Sequence, residues 1–297
     1  MIVTTEVRKA ITLPMTPSPL AAAANIIKGA CIGMAELVPG ISGGAVALIV
    51  GIYEKALHTG NTLIDAARTR SRQSLRAVDW PFLLSIAVGM VGAIFLLSGV
   101  IHAFVEGHPS VAKGLFLGMV AVSLSVPLRM IGSAEIHRRA PILLPVFALC
   151  AALSFFATGF TSEPVNNPSL IVVFFAAMIA VCALVLPGLS GSFLLLAMGL
   201  YQPVMGSLSN REWSVIAVFA LGALVGLVAF VKVLDKMMRD HHTMTLTVMA
   251  GLMLGSLRAL WPWEGAVPGA EASVWAAIAL GAAIVAGVLF LDKRKTA

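Results

Sequence analysis

The stretch Val38-Pro39-Gly40-Ile41-Ser42-Gly43-Gly44-Ala45-Val46-Ala47-Leu48-Ile49-Val50-Gly51-Ile52-Tyr53 decides the reading of this chain. It returns 148 positions later as Leu186-Pro187-Gly188-Leu189-Ser190-Gly191-Ser192-Phe193-Leu194-Leu195-Leu196-Ala197-Met198-Gly199-Leu200-Tyr201. Pro39, Gly40, Ser42, Gly43, Leu48, Gly51 and Tyr53 recur as Pro187, Gly188, Ser190, Gly191, Leu196, Gly199 and Tyr201, and the two tyrosines are the only ones in the chain. A second echo follows in the same order: Gly114-Leu115-Phe116-Leu117-Gly118 resembles Gly251-Leu252-Met253-Leu254-Gly255. Two ordered matches indicate a duplication that covers nearly the whole chain.

Both copies lie in apolar surroundings. Of 297 residues, 59% are hydrophobic and 11% charged, with a mean hydropathy of +0.96. A soluble domain carries about 25% charged residues, so most of this chain needs the bilayer as its solvent. The formal net charge of +6 does not point to nucleic acid, because the basic residues sit in short loops between apolar runs. Cys31, Cys150 and Cys182 fall inside apolar runs; their spacing fits no metal motif, and an odd number argues against a disulfide framework. Residues 1–20, with Arg8, Lys9, Pro14, Pro17 and Pro19, read as a flexible cytoplasmic tail without the apolar core of a signal peptide.

Runs approaching about 20 apolar residues read as membrane crossings. Six are expected, over 82–105, 112–129, 141–160, 213–232, 244–260 and 274–291. The regions 21–57 and 170–205 are equally apolar but are cut by the Pro-Gly breaks. Proline and glycine together stop a helix. Each region therefore reads as a helix–break–helix hairpin, re-entrant or made of two short full spans, which loop parity does not separate, with arms of roughly 15–18 residues, about 25 Å as helix. The expected fold is an all-α integral membrane protein with two repeats, 21–160 and 170–291, each a hairpin followed by three transmembrane helices.

Sidedness sets the relation between the repeats. Cytoplasmic loops carry excess Lys and Arg. Arg8 and Lys9, then Arg68, Arg70, Arg72 and Arg76, place both ends of the first hairpin inside. Arg129, Arg138 and Arg139 mark a further inside loop, Lys232, Lys236 and Arg239 another, and Lys293, Arg294 and Lys295 place the C-terminus inside; the remaining loops hold only Arg211 among basic residues. Three crossings per repeat is an odd number, so the second repeat is expected to be inverted, with both termini cytoplasmic.

Inverted repeats with broken helices are the signature of secondary transporters. A helix start leaves backbone N–H groups unpaired and carries partial positive charge. New helices are expected to begin near Ser42 and Ser190. Their tips, Pro39-Gly40-Ser42-Gly43-Gly44 and Pro187-Gly188-Ser190-Gly191-Ser192, would approach the midplane from opposite sides and offer backbone and hydroxyl donors to an anion such as phosphate. The competing reading is that small residues merely permit tight helix packing. Lys113 and Arg258 are cations able to hold a phosphate or to snorkel to the interface. Glu36, three residues before Pro39, is either a proton or sodium carrier for coupled transport or a hydrogen-bonded brace for the tip. Trp261-Pro262-Trp263 reads as an interfacial anchor. The histidines show no metal spacing, and no cofactor is expected.

The motifs Gly29-Ala-Cys-Ile-Gly-Met-Ala-Glu-Leu-Val-Pro-Gly-Ile-Ser-Gly-Gly44, Gly51-Ile-Tyr-Glu54, Leu186-Pro-Gly-Leu-Ser-Gly-Ser192 and Gly255-Ser-Leu-Arg258 with Trp261-Pro-Trp263 resemble the PopT-type membrane family, formerly a domain of unknown function. The resemblance spans nearly the full length. It implies a non-enzymatic flippase that moves undecaprenyl phosphate from the outer to the cytoplasmic leaflet of the bacterial inner membrane for re-use, with that lipid as its partner. Where this chain has Glu36, the family often has Asp or Asn, which argues against obligatory proton carriage there. Two rivals remain. Membrane polyprenyl-pyrophosphate phosphatases resemble this chain but carry an arginine where Gly43 and Gly191 stand. A small-anion channel or exchanger would use the same tips without a lipid.

Overall fold

A computed structural model describes residues 19–37, 42–70, 72–159, 162–187 and 190–296. The regular structure among the described residues is all helical, with no strands. The first half comprises α1 (Pro19–Glu36), α2 (Gly43–Ile49), α3 (Tyr53–Thr69), α4 (Arg72–Ala77), α5 (Trp80–Gly107), α6 (Pro109–Ser123), α7 (Ser125–Ile131) and α8 (Ser133–Ala157). The second comprises α9 (Leu170–Val185), α10 (Gly191–Ala197), α11 (Tyr201–Ser209), α12 (Trp213–Asp240), α13 (His242–Ser256), a 3-10 turn (Leu257–Leu260) and α14 (Ala272–Thr296). Six helices or helix pairs among the described residues are long and apolar enough to cross a bilayer: α5, α6–α7, α8, α12, α13 with its 3-10 turn, and α14. They overlap the six apolar runs expected to cross, and the chain is a multi-pass membrane protein.

Their ends extend past the apolar runs. α5 and α12 have 28 residues each, about 42 Å, against a hydrocarbon core of about 30 Å. Arg138, Arg139, Lys232, Lys236 and Arg239 consequently ride on helix ends, where loops were expected. The connections there shrink to Gly132 and His241. α8 also contains Pro141 and Pro145.

The outward surface is apolar, as a lipid-facing surface must be: Phe95 and Leu96 on α5 are each 80% exposed. The centre is formed by α13, whose Leu246, Met249 and Met253 are fully buried, together with α2. α1 runs along α5, and α9 along α12. The second crossing of each half, however, pairs with the third crossing of the other: α6 with α14, and α13 with α8. Close backbone approach makes this possible. A Cβ on Gly118 would lie 2.0 Å from the Ile278 carbonyl, and one on Gly255 2.1 Å from that of Ala151. This is the small-residue packing that membrane helices use. The closest glycines thus correspond at an offset of 137 (255 − 118), whereas the helix starts Pro109 and His242 correspond at 133 (242 − 109), one turn apart.

The hairpins differ from expectation in their second arms. Instead of one helix of 15–18 residues, each break is followed by a seven-residue helix, α2 or α10, only about 10 Å long. Each then ends at a glycine with φ +70°, Gly51 or Gly199. The Ile52 amide donates to the Ala47 carbonyl at 3.0 Å and that of Gly51 to Leu48 at 3.1 Å; Leu200 and Gly199 repeat this with Leu195 and Leu196 at 2.8 and 3.0 Å. These paired bonds are a Schellman stop, which requires the left-handed conformation that glycine adopts without cost. After it the chain turns, and α11 leaves α10 at 112°.

α3 lies across one end of the bundle. Lys55 pairs with Asp79 at the start of α5 (2.8 Å), and Asp65 with Lys232 near the end of α12 (2.5 Å). The Asn61 amide donates to the buried Asp235 carboxylate at 2.6 Å, which also pairs with Arg239. The start of α5 and the end of α12 therefore share the arginine-rich end. The opposite end gathers the close of α8, the 3-10 turn with Arg258, and Gly199, whose carbonyl accepts from the Val165 amide at 3.0 Å.

Candidate functional site

Ser42 and Ser190 precede α2 and α10 with nearly identical extended backbones (φ −105°, ψ 125° and φ −105°, ψ 128°). The helix starts thus lie where the duplicated motif places them. Neither hydroxyl caps its own helix; what each does instead differs.

The first tip is closed. Ser42, 3% exposed, donates its Oγ proton to the Leu186 carbonyl at 2.9 Å, and the Tyr53 hydroxyl donates to the Val185 carbonyl at 3.1 Å. Those carbonyls end α9, where the last turn has no intrahelical donors. Side chains of the first hairpin therefore terminate the entering helix of the second. The contact is tight, since a Cβ on Gly44 would lie 2.7 Å from the Val185 carbonyl. The first amide of α2, Gly43 N–H, donates to Glu36 Oε1 at 3.0 Å. Glu36 reaches back from the end of α1 and sets a carboxylate at the helix start, a favourable placement for negative charge. This bond is the contact that the brace reading of Glu36 requires.

The second tip is chemically freer. Ser190 and Ser192 are half-buried and their hydroxyls bond each other at 2.9 Å. The position 148 residues after Glu36 is Leu184, and among the described residues no carboxylate meets Gly191 as Glu36 meets Gly43. Each hydroxyl can donate one proton. An anion receiving both would replace one mutual bond with two.

The cations lie apart from the tips. Arg258, exposed on the 3-10 turn, donates to the Phe155 carbonyl at 3.1 Å, and its guanidinium sits 4.5 Å over the Phe155 ring. Gly159 makes room for it: a Cβ there would be 2.2 Å from Cζ. Lys113, exposed in the second turn of α6, is on the helix that packs against the 3-10 turn. Both cations share the end opposite the arginine-rich one, and no contact among the described residues joins them to Ser42 or Ser190. Pro187 is buried beside the second tip, whereas Pro39, Gly40 and Gly188 lie outside the described residues. Trp261 and Trp263 meet edge to face at 5.0 Å, and Trp263 reaches Trp275 at 5.2 Å, at the same end as Arg258. Among the described residues no cluster of three His, Cys, Asp or Glu can hold a metal.

Two contacts escaped sequence reasoning. Tyr53 was visible as half of the tyrosine pair, but its bond to the second hairpin was not. The buried Asp235 was hidden within a basic segment, where its spacing of four to Arg239 was the available signal.

Residues 32–278 match the family described as undecaprenyl phosphate translocase-like. A polyprenyl-phosphate transporter of Vibrio cholerae is 33% identical over 245 residues, which cover 80% of this chain and 77% of the relative. A polyprenyl-phosphate transporter of Staphylococcus aureus is 30% identical over 255 residues, covering 80% and 86%. No solved structure matches.

Proposed function

This chain belongs to the undecaprenyl phosphate translocase-like family, and from that membership we propose that it carries undecaprenyl phosphate across the bacterial inner membrane, from the outer to the cytoplasmic leaflet, for re-use in envelope synthesis. The reading takes the two halves as inverted repeats, so that the tips approach a central headgroup from opposite sides. The observation that carries it is the difference between the tips. Glu36 and Leu186 already hold the donors of the first, while among the described residues the Ser190 and Ser192 hydroxyls bond each other alone. The phosphate engages Ser190, Gly191 and Ser192 first, with Gly188 giving close backbone approach. Pro39, Gly40, Ser42, Gly43 and Gly44 complete the cradle when the tips separate. Arg258 and Lys113 collect the headgroup at the outer end through its charge. The isoprenoid tail stays in lipid along the apolar flank of α12.

The test is reconstitution of the purified protein with labelled undecaprenyl phosphate, following its transfer between leaflets with and without proton and sodium gradients. Transfer that requires the protein supports the reading, and acceleration by one gradient identifies the coupling ion. A failure to move the lipid sinks it. Release of phosphate from the pyrophosphate form would favour the enzyme reading, although no arginine stands at the Gly43 or Gly191 positions. Flux of inorganic anions without lipid would favour an exchanger.

A further inference from the structure

The two tyrosines occupy the same place in the duplicated motif, each two residues after a Schellman glycine. They are in different states. Tyr53 is 6% exposed and donates to the Val185 carbonyl. Tyr201 is half-buried, and its hydroxyl has no hydrogen-bond partner among the described residues. The carbonyl matching Val185 in the first half is that of Leu37 (185 − 148 = 37), and no side chain among the described residues donates to it. The helices differ in the same sense. All of α2 except Gly44 is buried, and it packs against α9, α6, α7 and α14, whereas α10 packs on its own neighbours α9 and α11. One copy of the device is engaged and the other is idle.

Resting on the transport reading above, we propose that Tyr53 and Tyr201 are paired positioning residues that hold the protein's two access states. In the state seen here, Tyr53 ties the first hairpin to the end of α9. In the alternate state, that bond opens and Tyr201 ties the second hairpin to the Leu37 carbonyl at the end of α1. The equivalence of the two motifs in sequence and backbone angle makes the second bond available to the chain on the same terms as the first. Each bond satisfies an end-of-helix carbonyl that would otherwise lie unpaired away from water. The states are then close in energy, as a carrier that must visit both requires.

The test uses Tyr53→Phe and Tyr201→Phe, which remove one hydroxyl each and keep the ring. Cys182, one turn before Val185 on α9 and half-buried, reports opening of the first gate. The full-length protein with Cys31→Ser and Cys150→Ser is placed in vesicles free of polyprenyl phosphate, and the rate of Cys182 reaction with a maleimide is measured. Loss of one neutral hydrogen bond shifts the balance about fivefold, equivalent to about 1 kcal/mol. Tyr53→Phe is expected to raise Cys182 labelling about fivefold and Tyr201→Phe to lower it about fivefold, with the double variant returning to within about twofold of the parent. A Tyr201→Phe rate that is unchanged or raised overturns the proposal, as does a double variant resembling Tyr53→Phe alone. Cys150 on α8, retained in a companion protein in place of Cys182, controls for loosened packing; a parallel rise there under Tyr53→Phe also overturns it. Because no lipid phosphate is present, the opposed responses can hold in a protein that later fails to move the lipid. That result would leave the exchange intact and refute the transport reading.

Discussion

Replacing Glu36 separates its two possible roles. In the structure its carboxylate accepts the first amide of α2 at 3.0 Å. A hydrogen bond to a charged group contributes about 1.5–3 kcal/mol and one between neutral groups about 0.5–1.5 kcal/mol. Glu36→Gln keeps an acceptor of the same length and exchanges the first value for the second, a loss of about 1 kcal/mol, or roughly fivefold in any step that depends on the tip. Glu36→Ala removes the acceptor and leaves the Gly43 amide unpaired, a loss of about 1.5–3 kcal/mol, or roughly 10- to 150-fold. If the side chain is a brace, leaflet transfer of labelled lipid phosphate falls about fivefold or less in Glu36→Gln and far more in Glu36→Ala. The pH profile of the glutamine variant then parallels that of the parent. The assay is transfer in proteoliposomes across pH 5.5 to 8.5, as about seven points. A glutamine variant as inactive as the alanine variant, or one that loses a pH dependence the parent shows, would refute the brace and return Glu36 to proton carriage.

Other substitutions probe the frame around the tips. Gly51 and Gly199 share φ +70°, but a Cβ on Gly51 meets nothing within 4 Å while one on Gly199 lies 2.3 Å from the Glu163 carbonyl. Gly51→Ala is expected to cost about 1–2 kcal/mol of stability from its backbone alone and Gly199→Ala clearly more, read as melting temperatures in detergent; equal losses would contradict the geometry. Gly281→Ala places a Cβ 1.9 Å from the Leu115 carbonyl, so α6 and α14 must part; a loss of about 1–3 kcal/mol is expected, and an unshifted melting temperature would disprove the close pairing. Asp235→Ala strands the Asn61 amide and Arg239 at the α3–α12 contact, with an expected cost of about 1–3 kcal/mol in the same assay. Ser190→Ala and Arg258→Ala are each expected to abolish recycling of the lipid phosphate while the protein still inserts at parental levels. Normal recycling in either one removes that residue from the site.

The apolar runs able to cross a bilayer and the breaks were legible in the sequence because both are local. Twenty apolar residues span a bilayer wherever they occur, and Pro-Gly interrupts a helix in any context. The helix starts at Ser42 and Ser190 were legible for the same reason. The ends of α2 and α10 were readable too, since Gly51 and Gly199 were already among the repeated residues, yet the apolar run beyond them suggested a continuous arm. What the sequence could not supply were contacts across the chain. The bond from Tyr53 to Val185 spans 132 residues and that from Ser42 to Leu186 spans 144. Nothing local distinguishes Tyr53 from Tyr201, so their unequal states belong to packing alone. The sharing of helix partners between halves was likewise hidden, because the glycines reveal that a close neighbour exists without revealing which one.

That sharing restricts how such a molecule can be assembled. Because α6 lies on α14 and α13 on α8, a half synthesised alone would insert with two of its three crossings lacking the surfaces they were shaped to meet. Neither half is a self-sufficient module, and two halves divided between Ala157 and Leu170 and expressed from separate starts are expected to be stable only when produced together.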